Sequence, residues 1–390
     1  MKPVYIIADN IITSLGFTTD ENVASLKKNV IGLKPVDNPL LYPSPITLSR
    51  VDTEALESRF ALVLQRYNKN TPATYYTRLE KLFLIAISDV LSKTKMIPSD
   101  QRTLLVISTT KGNVDLLEER YKAVFNHRRL FLWEIGRIIA DFFGFRNTPV
   151  IVSNACISGL VAITTAARYI QSGYYDHAIV AGGDIISEFV ISGFQSFQAL
   201  SPLPCKPFDL KRNGLSLGEG CGVMALTALN TDGEEMPVRY AGGAITNDAN
   251  HISGPSRTGE ELSLAINRAI SQAGLSPDEI GYISAHGTAT TYNDEMESKA
   301  IGLSRLTPVP VNSFKGYWGH TLGAAGIIES VAAIHSLRTG FLFRSAGYEQ
   351  PGVPEPLNII EQHDKKPLGS CLKTASGFGG CNAAIIYQKL

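Results

Sequence analysis

What most constrains this chain is an alternation that runs along it twice. Short apolar runs rich in β-branched residues, VYIIA, LLVIS, VIVSN and HAIVAGG, alternate with stretches of helical spacing such as ENVASLKKNV and GLVAITTAARYI. A strand that is apolar throughout is buried on both faces, so helices must cover both sides of the sheet it joins. The polar stretch NTDGEEMP at 230–237 interrupts the pattern, and a similar order of signals restarts at VRYAGGAIT. Residues 150–173 read as strand, polar turn and a helix ending at Gly173, and residues 309–340 read the same way, ending at Gly340. The glycine-punctuated segments LSLGEGCGVMALTAL and TASGFGGCNAAIIYQ also correspond. The expectation is an α/β chain of two internally duplicated halves, residues 1–232 and 233–390, whose active groups arrive from both.

With 390 residues, burying a core is not the limiting problem. The 36 basic and 36 acidic side chains cancel, so no overall field points to nucleic acid or an anionic membrane. The opening MKPVYIIADNIITSLG is too brief and polar for a signal peptide or a membrane span, and a soluble cytoplasmic protein is expected. Five cysteines, with no CxxC pair among them, argue against a disulfide framework or a zinc cluster, and no metal site is expected. LKPVDNPLLYPSP at 33–45 reads as a surface connection, and residues 60–80 and 115–146 as helical insertions or a cap.

Four segments hold residues able to do chemistry. In VIVSNACISG, Cys156 follows a strand and opens a helix, the placement that exposes a nucleophile at a sharp turn. The helix N-terminus favours a thiolate there, and the alternative is a buried structural thiol. In YISAHGTATTYNDEMES, His286 sits at a strand end, with Thr288 and Thr290 able to hydrogen-bond a polar linker; a satisfied core histidine beside turn-forming threonines fits equally well. Asp294 and Glu297 share a helix face, either solvated or holding a cation. In NSFKGYWGHTLGAAG, Lys315 and His320 lie among glycines that let backbone or substrate come close. In ASGFGGCN, glycines flank Phe378 and expose backbone N–H groups, a candidate oxyanion donor site or simply a tight strand turn.

Taken together and in order, NACISG, SGFQSFQALS, KPFDLKRNGLSLGEGCG, AHGTAT with its following ND and E, NSFKGYWGH with LGAAG, and GFGGCN resemble the β-ketoacyl-acyl-carrier-protein synthases. These are decarboxylating condensing enzymes of the thiolase-like superfamily. The resemblance covers residues 150–390 well and the first 150 only through VYIIADNIITSLG. It implies a thiolase-like five-layer αβαβα fold. Cys156 would take an acyl group from a carrier-protein thioester, the N–H groups of Cys156 and Phe378 would hold the tetrahedral oxyanion, and Thr288 and Thr290 would bind the pantetheine arm. His286 and His320 would stabilise the enolate left by decarboxylation, Lys315 would pair with Glu297 to order the histidine loops, with Asp294 in support, and Phe378 and Phe194 would gate the pocket. No cofactor of its own is implied, because phosphopantetheine arrives on the acyl carrier protein.

A homodimer is implied, and the alternative is an active or pocket-shaping subunit of a heterodimeric polyketide or aryl-polyene-type ketosynthase. The second histidine favours decarboxylative elongation over thiolysis. Departures from the family pattern are Asn213, Trp318 beside the histidine, and Thr110 with Lys111 where the acyl pocket or dimer contact lies. They imply a short, polar or unsaturated acyl chain. A carrier protein is acidic, and Arg128 and Arg129 in NHRRLF are the candidate basic rim for it.

Overall fold

A computed structural model describes residues 2–37, 45–121, 124–229 and 237–390. The boundary between the expected halves and most of the Pro-rich connection fall outside the described residues.

The first set of core strands is β1 (Tyr5–Ile12), β2 (Thr103–Ser108), β3 (Val150–Val152), β4 (His177–Asp184) and β5 (Gly220–Thr227). The second is β6 (Val238–Asn247), β7 (Ile283–Ser284), β8 (Pro310–Asn312), β9 (Ser370–Gly377) and β10 (Cys381–Lys389). In space the first set runs β1-β5-β4-β2-β3 and the second β6-β10-β9-β7-β8, which is one order used twice. The senses also repeat. In each set the first two pairings are antiparallel and the next two parallel. The sets join where Tyr5 and Ile6 pair with Arg239 and Val238, and a short strand, Asn358–Ile359, extends the far edge.

Among the helices of the described residues, those that frame the site are α1 (Arg78–Ser92), α2 (Leu132–Phe143), α3 (Ser158–Gln171), α4 (Glu188–Ser196), α5 (Glu260–Ala273), α6 (Thr291–Leu303) and α7 (Ala325–Thr339). α1 starts at a capping box, in which Thr77 and Glu80 bond each other's backbone N–H groups, and with α2 it covers the outer face of the first set. α5 and α6 cover the outer face of the second set. α3 and α7 lie between the two sets, in contact with strands of both.

The sequence of α7 shows why it belongs in the middle. Twelve of its residues are buried, on every side of the helix, as sheets on both faces require, and Glu329 is the one charged residue among them.

The two central helices meet at their N-termini through glycine. A Cβ on Gly159 would fall 2.8 Å from Ile327 N and 3.0 Å from Gly326 Cα, and one on Gly326 would fall 2.7 Å from Leu160 N. This contact brings two corresponding turns together, β3 into α3 and β8 into α7. Cys156 lies in one and His320 in the other. Among the described residues no helix is long and apolar enough to cross a membrane.

Candidate active site

Ala155 has φ of 43°, in the left-handed region, which costs a non-glycine residue about 1–2 kcal/mol. The turn it makes delivers Cys156 at the start of α3, where the side chain is buried. His286 follows β7, and His320 follows the single turn Lys315–Trp318 after β8. The Cys156 thiol and one ring nitrogen of each histidine lie within 4.8 Å of one another, and the imidazole rings are near-perpendicular at 5.2 Å.

Each imidazole is held through Nδ1. The Lys315 ammonium donates to Nδ1 of His286 at 3.2 Å and to its carbonyl at 2.7 Å, and the Leu322 N–H donates to Nδ1 of His320 at 3.3 Å. An Nδ1 that accepts leaves the ring proton on Nε2. Burial holds both rings well below the ordinary histidine range, and the Lys315 charge pushes the same way, so both are neutral donors at physiological pH. His320 Nε2 is buried with no hydrogen-bond partner among the described residues, as a donor kept for a substrate would be. A cysteine and two histidines this close could be read as a metal triad. However, an Nε2 that carries its proton is not a ligand, and turning either ring over would break the bond at Nδ1.

The thiol behaves differently from the sequence expectation. Burial pushes Cys156 up to about 12, and neighbouring Cys381 adds to the rise against the opposing charge of Lys315. A helix N-terminus contributes about 0.3–1 kcal/mol toward the thiolate, less than full burial takes away. Cys156 in this pocket is therefore a thiol at neutral pH.

Three other expectations are corrected. Lys315 does not pair with Glu297. Its ammonium is 2.6 Å from Glu329 on α7, while Glu297 accepts the N–H groups of His286 and Gly287 at 2.8 Å and the Thr374 hydroxyl at 2.6 Å. Asp294 is neither solvated nor free for a cation. It accepts the N–H groups of Phe208, Thr288 and Ala289, and burial raises it to about 6. Both carboxylates therefore fasten the loop that carries His286. Arg129 is buried against Glu80 at 3.0 Å, so of its two arginines NHRRLF offers only Arg128 to solvent.

The remaining expected residues group around one open cleft of about 950 Å³, whose walls include Cys156, His286, His320, Thr288, Thr290 and Phe378. The two threonine hydroxyls are 2.9 Å apart. A Cβ on Gly377 would be 3.0 Å from Cys156 N, so the Phe378 turn lies directly over the thiol's own backbone amide. Phe194 on α4 lies 5.5 Å from the Phe378 ring and 6.5 Å from His320, and Phe197, which sequence reading did not single out, is 4.9 Å from Phe378.

Of the departures, Asn213 lines the cleft and accepts from Ser201, whereas Trp318 is buried in the core, stacked on Phe314. Thr110 donates its hydroxyl to Asp184, which also accepts the N–H of Gly323 beyond His320, and Lys111 is exposed. Glu329 and Lys373 went unnoticed in the sequence. Their signal was a lone charge inside an otherwise apolar helix or strand.

Comparisons with known proteins agree with this geometry. The family described as β-ketoacyl synthase, N-terminal domain, matches residues 1–232, and its C-terminal domain matches residues 238–349. The chain is 33% identical over 264 residues to the chloroplastic 3-oxoacyl-[acyl-carrier-protein] synthase II of Arabidopsis thaliana, a match covering 64% of this chain and 49% of that protein. It is 29% identical over 293 residues to nodulation protein E of Rhizobium leguminosarum bv. trifolii, covering 71% and 73%. The chain thus spans about half the length of the first of these relatives. Among solved structures, a chain of the complex of the ketosynthase ApeO with its chain length factor ApeC from Xenorhabdus doucetiae superposes with a TM-score of 0.88 at 26% identity, covering 100% of this chain and 98% of that one. A β-ketoacyl synthase from Burkholderia phymatum gives a TM-score of 0.86 at 23% identity over the full length of both. With both family domains matched over most of its length, a thiolase-like α/β fold and the family's motifs in order, the chain belongs to the β-ketoacyl synthases.

Proposed function

We propose that the protein is a decarboxylating 3-oxoacyl-[acyl-carrier-protein] synthase. The observation that carries this reading is the pair of neutral imidazoles beside the thiol, each fixed through Nδ1 with its proton on Nε2. Cys156 attacks an acyl thioester. The S–C bond to the enzyme forms, the carrier thiol leaves with a proton, and the N–H groups of Cys156 and Phe378 hold the oxyanion between. A malonyl thioester then enters along Thr288 and Thr290. Loss of carbon dioxide leaves its electron pair on the thioester enolate, and the Nε2–H groups of His286 and His320 hold that oxygen. The carbanion attacks the acyl carbon, the Cys156 sulfur departs as a thiolate that takes up a proton from water, and a 3-oxoacyl thioester is released. Neutral donors suit this step, because they stabilise an enolate without protonating it.

The pantetheine arm belongs to the substrate, and the acidic carrier is its vehicle. Arg257 and Lys299 in the cleft lining, where the Lys299 ammonium donates to the Arg257 carbonyl, replace the Arg128–Arg129 pair as its basic contact. The acyl chain taken is short, polar or unsaturated. The support for this is the departure from the family pattern at Thr110 and Lys111, although Lys111 is exposed and neither residue lines the cleft.

The test uses carboxyl-labelled malonyl carrier protein. Wild type with an acyl primer releases labelled carbon dioxide and forms the 3-oxoacyl product. His286→Ala and His320→Ala should lose carbon dioxide release, whereas Cys156→Ala should lose only the product. Carbon dioxide release at full rate without both histidines would overturn the reading.

Likeness to a chain of a ketosynthase–chain length factor complex supports a second arrangement, in which this chain is the active member of a heterodimer. Size-exclusion chromatography with and without a co-expressed synthase-like partner separates this from a homodimer.

A further inference from the structure

Behind the two histidines lies a second buried lysine that the reaction as described does not use. Lys373 stands on β9 directly opposite Ser284 of β7, two residues before His286. Its ammonium donates to three carbonyls, those of Thr374 at 2.8 Å, Ser284 at 3.1 Å and Ala285 at 3.2 Å, which accounts for all three of its N–H bonds. Its charge also lies 2.7 Å from Oε2 of Glu329, an ion-pair contact rather than an aligned hydrogen bond, while Oε1 of the same carboxylate accepts from Lys315 at 2.6 Å. Lys315, Lys373 and Glu329 are all buried. One carboxylate is thus shared by two ammonium groups, and only one of them, Lys315, reaches an imidazole.

Structural stability alone gives little reason for such an arrangement. Burying an ammonium is expensive, and an apolar side chain of similar volume in a β-strand is often no worse. What the arrangement does is divide Glu329. With Lys373 on one oxygen, Glu329 cannot draw the Lys315 ammonium into a two-oxygen pair, and Lys315 keeps its bond to Nδ1 of His286.

We propose that Lys373 is a positioning residue for the histidine donors: by occupying Oε2 of Glu329 and the carbonyls just before His286, it holds Lys315 on Nδ1 and so keeps the His286 proton on Nε2, facing the substrate.

The charged and titratable groups around His286 give the direction of any pH effect. They are Lys315 and His320 from the β8–α7 turn, Lys373 from β9, Glu329 from α7, Glu297 and Asp294 from α6, and Cys156 from α3. Two lysines face three carboxylates, Glu329, Glu297 and Asp294, the last raised to about 6, so the cluster already leans negative at neutral pH. Removing Lys373 deepens that negative excess, which favours the imidazolium.

This inference rests on the proposed decarboxylation, and its test has a readout independent of it. Protein labelled with ¹⁵N at histidine is examined by long-range ¹H–¹⁵N correlation from pH 5 to 8, with His286→Gln and His320→Gln assigning the two rings. Wild-type His286 should show a single neutral Nε2–H tautomer throughout. In Lys373→Met it should become a tautomer mixture that titrates about one unit or more higher. Carbon dioxide release should fall roughly tenfold in kcat with KM unchanged, short of the loss expected on deleting a donor outright, and gain an acidic limb. A wild-type His286 that carries its proton on Nδ1, or titrates near the ordinary histidine value, overturns the proposal even if Lys373→Met fails to fold. A folded Lys373→Met with wild-type spectra and pH profile overturns it as well. Failure of wild type to decarboxylate would instead remove the functional reading while leaving the spectra to judge the lysine.

Discussion

Cys156 sits in the pocket as a thiol, raised by burial, and this governs how it reacts before any carrier arrives. The reactive fraction is the thiolate, so alkylation by iodoacetamide should accelerate about tenfold per pH unit from pH 7 to 9 without levelling, because the group titrates above that window. Intact mass, with Cys156→Ala as blank, reads the rate, and a plateau near neutrality would show that the helix N-terminus outweighs burial. His320 makes a separate contribution. Its Nε2 has no partner among the described residues, so on the proposed mechanism replacing the ring by alanine should remove one enolate donor and leave acyl transfer to Cys156 largely intact. Carbon dioxide release should fall by about 10²–10³ in kcat, while the acyl-enzyme mass still accumulates. Loss of both to the same degree would mean that the ring holds the pocket together rather than the enolate.

Among the elements, the crossing of α3 and α7 is the least tolerant contact because backbone meets backbone there. Gly159→Ala sets a methyl 2.8 Å from Ile327 N, with no flexible side chain to yield, and should lower stability by about 1–3 kcal/mol. Gly193→Ala on α4 meets nothing within 4 Å and should be neutral or slightly stabilising. Thermal unfolding of the pair distinguishes the close approach from general helix propensity, and equal midpoints would refute it. The same crossing explains why Cys156 and His320, 164 positions apart in the chain, work as one site. The elements themselves were legible as runs of β-branched residues and as helical periods ending at Gly173 and Gly340, even where β7 and β8 shrink to two or three residues. The meeting of their ends was not legible, because a glycine that permits close approach reads the same as one that only shapes a turn.

For the molecule as a whole, acidic and basic charges cancel, so on the proposed function the carrier protein would be drawn by a local patch rather than by a general field. Arg257 and Lys299 are among the residues that line the cleft. Reversing both to glutamate should raise KM for carrier-bound substrates several-fold, more at low salt than at high, and leave pantetheine thioesters unchanged. An equal effect on both substrate classes would move the contact elsewhere. Arg129 shows why composition alone misplaced this surface. A run of basic residues looks exposed in sequence, but here one of them closes a buried ion pair with Glu80.

Read by itself, the sequence determined the doubled α/β alternation and the order of the motifs, because strand and helix periods are local and leave a local imprint; the thiol and both imidazoles are singled out only by the resemblance those motifs carry. Only the tertiary structure decided that Glu329 rather than Glu297 receives Lys315, that Lys373 stands behind both, and that burial rather than the helix N-terminus sets the thiol. Charge pairing and desolvation depend on which side chains distant segments bring within a few ångströms and on how much water they exclude. No spacing along the chain encodes either.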